Sequence, residues 1–126
     1  MKSFVVFPRL LVGLLSVLPT ESHTQWQSDV RLTNAIYSSY LALNGRPIAT
    51  DITKVHVVWF DYRDGSINGG EGVNIYYKRS TNNGGNWSSD VKIVDDVNNS
   101  FDPSIGVYQN NIHVVWYDDR HGDYEI

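Results

Sequence analysis

Cysteine is absent from the 126-residue chain, which excludes a disulfide framework and any thiolate metal site. Charge of one sign is lacking as well. The formal net charge is −4, and the ten Lys and Arg residues are scattered. A nucleic-acid binder would carry them clustered on one face. No apolar run is long enough to span a bilayer; the longest, Leu10 to Leu18, falls far short. Beyond residue 22, no eleven-residue window shows a helical period. The P-loop, H-E-x-x-H and EF-hand patterns are all missing. What is present is a chain 41% hydrophobic, 13% aromatic and 19% charged. That composition suits one globular domain and argues against disorder.

The first 22 residues read as a separate segment. Lys2 and Arg9 precede the apolar run, and the small or polar residues Thr20, Glu21 and Ser22 follow it. This is the layout of a secretory signal, so the protein is expected to be secreted, extracellular or at the cell surface. An uncleaved anchor or a misplaced start is the alternative reading.

The remainder repeats itself. "VHVVWFDYRDG" (Val55 to Gly65) recurs as "IHVVWYDDRHG" (Ile112 to Gly122), with seven of eleven positions identical and Trp59 mapping to Trp116 at an offset of 57. "WQSDVRLT" (Trp26 to Thr33) recurs as "WSSDVKIV" (Trp87 to Val94) at an offset of 61. The difference of four places an insertion near "LALNGR" in the first copy. "VNIYY" matches "DYEI" with Ile75 on Ile126, after a six-residue insertion in the first copy. Each unit is short, rich in Val, Ile, Tyr and Trp, and bounded by Gly, Asn, Asp or Pro, which is the pattern of strands. The strands expected are "RPIAT", "KVHVVWFD", "VNIYYKRS" and "NWSSDVKIV", then "DPSIGVY" and "NIHVVWYD". Four antiparallel strands per repeat predict an all-β fold of β-propeller blades. The domain reading is a signal over 1–22 and a partial propeller over 23–126. Within it, 26–33 is a lone outer strand, 46–94 a full blade and 103–126 half of another. Since a closed propeller has at least four blades, the chain reads as the N-terminal part of a longer protein.

The stretch "STNNGGNW" (Ser80 to Trp87) joins the third and fourth strands. Asn and Gly tolerate positive φ, and Ser and Asn side chains bond nearby amides, so the turn can fix itself internally. It resembles the Asp-box of bacterial neuraminidases, written S-x-D-x-G-x-T-W: Ser80, Gly84 and Trp87 match, Asn82 stands where the family has Asp, and Asn86 where it has Thr. With "HVVWYDDR" and "IYYKRS", the chain from Trp26 onward is similar to the sialidase-like Asp-box propeller superfamily. The resemblance implies a structural turn on the rim, away from the catalytic face.

Catalysis of the sialidase type would need an arginine triad for the sugar carboxylate, a Tyr nucleophile with its Glu, and an Asp acid/base. Arg31, Arg46, Arg63, Arg79 and Arg120 are available. Arg63 and Arg120, however, hold equivalent repeat positions. Asp61 with Arg63, and Asp118 with Arg120, are spaced by two, which places each pair on one face of a strand. A repeated corner ion pair is the structural reading, and contact with a ligand at a central channel is the sharper one. His56 and His113 are equivalent and read as partly buried structural histidines, with no partner at metal spacing. "DYRDGSINGGEG" is a weak calcium candidate, and Tyr76-Tyr77 a weak sugar platform. No metal and no cofactor is implied. The function expected is a non-catalytic repeat module for binding or scaffolding, with a fragment of an exo-sialidase-type hydrolase as the alternative. Expected partners are further propeller strands, self-association, or glycans and cell-surface proteins.

Overall fold

The computed structural model describes residues 28–65, 72–95 and 97–126. The expected signal segment, Trp26 and residues 66–71 lie outside them. Among the described residues the protein is all-β, with no helix and with antiparallel sheets that do not close. Its strands are β1 (Ser39–Tyr40), β2 (Ile48–Asp51), β3 (Lys54–Asp61), β4 (Asn74–Ser80), β5 (Val91–Lys92), β6 (Ser100–Tyr108) and β7 (Asn111–Asp118).

β3 is the centre of the first sheet. Its β-branched and aromatic residues suit a pleated, buried surface, and both of its edges are paired. β4 runs along one edge from Val55↔Ser80 to Asp61↔Asn74. The other edge is shared: β2 pairs with residues 54–57 and β1 with residues 60–61. β5 pairs with β4 at Tyr76↔Lys92 and Tyr77↔Val91. The second sheet is the β6–β7 hairpin, from Ser100↔Asp118 to Tyr108↔Asn111.

The two sheets carry one register written twice. Ser39↔Asp61 corresponds to Ser100↔Asp118, and Tyr40↔Phe60 to Phe101↔Tyr117. Ile48↔Val57 corresponds to Ile105↔Val114, and the pairs then match one by one to Asp51↔Lys54 and Tyr108↔Asn111. Residues 41–47 of the first copy therefore stand where the second has 102–104, which locates the insertion. In the second copy this point is a break in register between Phe101 and Ser104. The hairpin turns agree too: Ile52 (φ 50°) and Gln109 (φ 55°) are equivalent and share a left-handed conformation.

The core of the first sheet is Val57, Trp59 and Tyr76, with Leu32, Val55 and Trp87 packed against it. The sheets meet through Phe60 and Phe101, whose ring centroids are 5.6 Å apart. The inserted loop ties them together: Arg46 N–H donates to Ser104 Oγ (3.2 Å), and Ile105 N–H to Arg46 O (2.9 Å).

Two expected strands differ from those observed. Residues 28–33 of the expected outer strand form no ladder. Leu32 instead packs on the first core, and its carbonyl accepts from Lys78 Nζ at 2.7 Å. The fourth strand, expected over 86–94, is reduced to Val91–Lys92 with single bonds beyond it, Ser88 N–H to Arg79 O (2.9 Å) and Ile93 N–H to Ile75 O (2.8 Å). Ser88, Ser89 and Asp90 are poor strand formers, and Ser88 Oγ itself takes up the Arg79 N–H at 3.1 Å.

Candidate functional site

The repeated Trp-x-Asp-x-Arg corner holds the densest polar chemistry. β3 ends at Asp61, where the chain bends so that Arg63 turns back onto the carboxylate. Asp61 is fully buried. Its Oδ2 accepts from Ser39 Oγ (2.8 Å), Trp59 Nε1 (3.0 Å) and an Arg63 guanidinium nitrogen (2.6 Å), and its Oδ1 accepts from Arg63 N–H (2.9 Å). Burial alone would raise its pKa, but the bonds from Arg63, Ser39 and Trp59 outweigh it and hold the carboxyl below its ordinary value.

Arg63 has a second acceptor. Asp90 Oδ2 takes its other terminal nitrogen at 2.8 Å, and Asp90 Oδ1 pairs with Lys78 at 2.7 Å. The guanidinium also lies over the Tyr76 ring, 4.2 Å from its centroid. Tyr76 donates its hydroxyl to Asp64, which pairs with Lys92 at 3.2 Å. Burial raises the Tyr76 pKa, and the Asp64 carboxylate raises it further. This phenol is therefore held as a hydrogen-bond donor and is a poor nucleophile.

The second corner repeats the first in outline. Asp118 accepts from Trp116 Nε1 (3.2 Å), Arg120 N–H (3.3 Å) and the Arg120 guanidinium, with Nε at 2.8 Å. Hydrogen bonds from Arg120 bring its pKa down to about 2. The Ser39 contact has no counterpart, because Ser100 Oγ is buried without a partner. Asp61 with Arg63 and Asp118 with Arg120 are thus two ion pairs at equivalent corners, but both arginines lie past the strand ends, so a bend and not a shared strand face brings each pair together. Arg46 is exposed in the inserted loop.

Ser80 to Trp87 is a self-bonded turn. Ser80 Oγ accepts from Asn82 N–H (3.2 Å) and Gly84 N–H (2.9 Å) and donates to Asn82 Oδ1 (2.9 Å). Asn82 Oδ1 also accepts from Asn86 N–H at 2.7 Å. Gly84 has φ 88°, and a Cβ added there would sit 3.8 Å from the Trp87 indole. That indole packs on the sheet below. Ser80 Oγ and Asn82 Oδ1 are thus engaged within the motif, and Asn83 N–H ties the turn to Thr53 O of the neighbouring turn at 2.8 Å.

His56 is buried, with Nδ1 2.7 Å from Tyr77 Oη and Nε2 unpartnered. Burial first, and the charges of Lys54 and Arg79 next, lower its pKa. His113, expected to be partly buried like His56, is exposed instead; among the described residues no strand pairs with β7 as β4 pairs with β3 beside His56. Tyr76 and Tyr77 are engaged by Trp59 and His56 and form no platform. No cluster of three metal-ligating side chains exists among the described residues; much of the calcium candidate lies outside them. Sequence reasoning missed Asp90, although "SDV" recurs at Asp29 and Asp90 and marked the position.

Comparison with protein-family models, with curated proteins and with solved structures finds no match for the chain.

Proposed function

We propose that the protein is a secreted, non-catalytic repeat module of the sialidase-like propeller type, whose sheets act as blades in a binding or scaffolding role. One observation carries the reading. The repeat-equivalent arginines Arg63 and Arg120 are each folded back on the aspartate two residues earlier. A guanidinium paired with the carboxylate of its own corner supports a role in the strand ending. The doubled register, the meander β2–β3–β4–β5 and the internally bonded Ser80–Trp87 turn support the blade assignment. Glycans, cell-surface proteins and further propeller strands are the partners this reading favours.

The test is turnover of a fluorogenic sialoside by the purified protein. A pocket for that reaction needs an acid, a nucleophile and an arginine cluster converging within hydrogen-bond reach. No turnover is expected. Turnover that disappears on replacing Arg63 or Arg120 would overturn the non-catalytic reading in favour of a sialidase-type hydrolase.

A further inference from the structure

The two copies agree along their second strands and diverge at their hairpin tips. Residues 51–54 read Asp-Ile-Thr-Lys and the equivalent 108–111 read Tyr-Gln-Asn-Asn, with no identity. The two tips line one cleft of about 580 Å³. It lies where β3 and β7 begin, at the opposite ends of those strands from the Asp61 and Asp118 corners. Its walls are fixed in place. Lys54 Nζ donates from one tip to Asn110 Oδ1 of the other at 3.2 Å, and Asn83 N–H holds Thr53 O at 2.8 Å. Both tips also break a local rule. Two-residue hairpin turns put Gly, Asn or Asp where φ is positive. Ile52 instead holds φ 50° with a β-branched side chain that is 93% exposed, and Gln109 holds φ 55°. Neither the conformation nor the contact with water favours isoleucine there, and residues held against such preferences cluster at ligand clamps.

We infer that this cleft is a binding site for a neutral, polyhydroxylated ligand, a short segment of an oligosaccharide. Asp51 and Lys54 line it together, so their opposite charges leave no net field to select an ion. The polar groups around them suit hydroxyls, which donate and accept at once. The Asp51 carboxylate only accepts, whereas the Gln109 and Asn110 amides do both. Lys54 occupies Asn110 Oδ1, so the Asn110 NH2 is left to donate. Tyr108, 70% exposed, and Ile52 supply apolar surface for the C–H face of a sugar ring. A pre-formed concavity of this size with a few convergent polar groups is the usual form of a small-ligand site. Both tips belong to complete hairpins, β2–β3 and β6–β7, so each wall is built by strands that the chain itself supplies. The site gives the binding role proposed above a place and a ligand class. It rests on that role, but not on the blade assignment or on the absence of turnover.

The test titrates cellotriose, maltotriose and tri-N-acetylchitotriose, each to millimolar concentration, into the isotopically labelled protein and follows amide chemical shifts. At least one should move Asp51, Ile52, Tyr108 and Gln109 saturably and leave Asp61 and Arg63 unmoved. Tyr108→Ala should weaken that binding by about tenfold, through loss of the ring face. Ile52→Asn relieves the turn, so it should weaken binding by about threefold in a protein no less stable than the parent, which separates loss of the site from loss of the fold. No saturable shift with any of the three sugars, or binding unchanged in both variants, would overturn the proposal. Saturable shifts confined to residues away from the two tips would keep a binding role for the protein and overturn this site. Shifts at the tips with the capped peptide Ser-Asn-Ser and none with the sugars would assign the cleft to a polypeptide and overturn the stated ligand.

Discussion

Replacing Asp61 by asparagine isolates the corner that both copies share. All four groups bonded to the carboxylate are donors: Ser39 Oγ, Trp59 Nε1, the Arg63 amide and the Arg63 guanidinium. An amide side chain has one acceptor oxygen, and its NH2 must face a donor whichever way it turns. Hydrogen bonds to a charged group contribute about 1.5–3 kcal/mol each, and removing one partner of a buried ion pair costs about 3–5 kcal/mol. Arg63 keeps Asp90 as a second acceptor at 2.8 Å, and its side chain is 22% exposed. These two facts place the expected loss near the low end, about 3 kcal/mol. Asp118→Asn is the internal control. It breaks the same motif where Arg120 is 41% exposed and no serine contributes, so it should cost less. Urea unfolding followed by tryptophan fluorescence measures both, with Trp59 reporting on the core. An Asp61→Asn protein within about 0.5 kcal/mol of the parent, the range of an ordinary surface change, would refute the reasoning. So would a larger loss for Asp118→Asn.

Three further outcomes are expected. His56 has a folded pKa below its ordinary 6.5, so the unfolded chain takes up a proton that the folded one refuses. Stability should therefore be full above pH 6.5 and decline as pH falls from there toward the folded value, and His56→Gln should flatten that slope; an unchanged slope in the variant would assign the effect elsewhere. Gly84→Val should cost about 1–3 kcal/mol by thermal or chemical melts, because φ 88° strains a β-branched residue, and Gly84→Asn should cost less than half as much. Ile52 is 93% exposed at φ 50°, so Ile52→Asn should stabilise the β2–β3 turn by about 1 kcal/mol; a loss of stability would show that the isoleucine makes a contact the turn needs.

The parts of the fold that sequence made legible are those in which local pattern and tertiary role agree. Lys54–Asp61 and Asn111–Asp118 are strands over the expected residues, because β-branched and aromatic residues between turn formers favour the extended, pleated backbone. The spacing marks the Asp61–Arg63 and Asp118–Arg120 pairs, although a bend past the strand end and not a strand face brings them together, and the turn's need for positive φ is met at Asn83 and Gly84. The rest depends on partners distant in the chain. Ser39–Tyr40 is a strand only because the end of β3 offers it an edge. Asp90 acquires its role from Arg63, 27 residues away. His56 and His113 share a sequence context and differ in burial, and among the described residues β4 pairs beside the first alone. Repetition in sequence therefore predicts register well and environment poorly.

The central claim is that the chain holds one antiparallel unit twice, with β3 and β7 in equivalent places and the inserted residues 41–47 looped out of the first. Cross-strand nuclear Overhauser contacts test it directly. The account predicts contacts joining Tyr40 to Phe60 and Ile48 to Val57 in the first copy, and Phe101 to Tyr117 and Ile105 to Val114 in the second. Contacts pairing β3 with β7 as neighbours in one hairpin, or a shift of the second copy by one residue, would contradict it. A one-residue slip would send every side chain of β7 to the opposite face and separate Trp116 and Asp118 from the corner they share with Trp59 and Asp61.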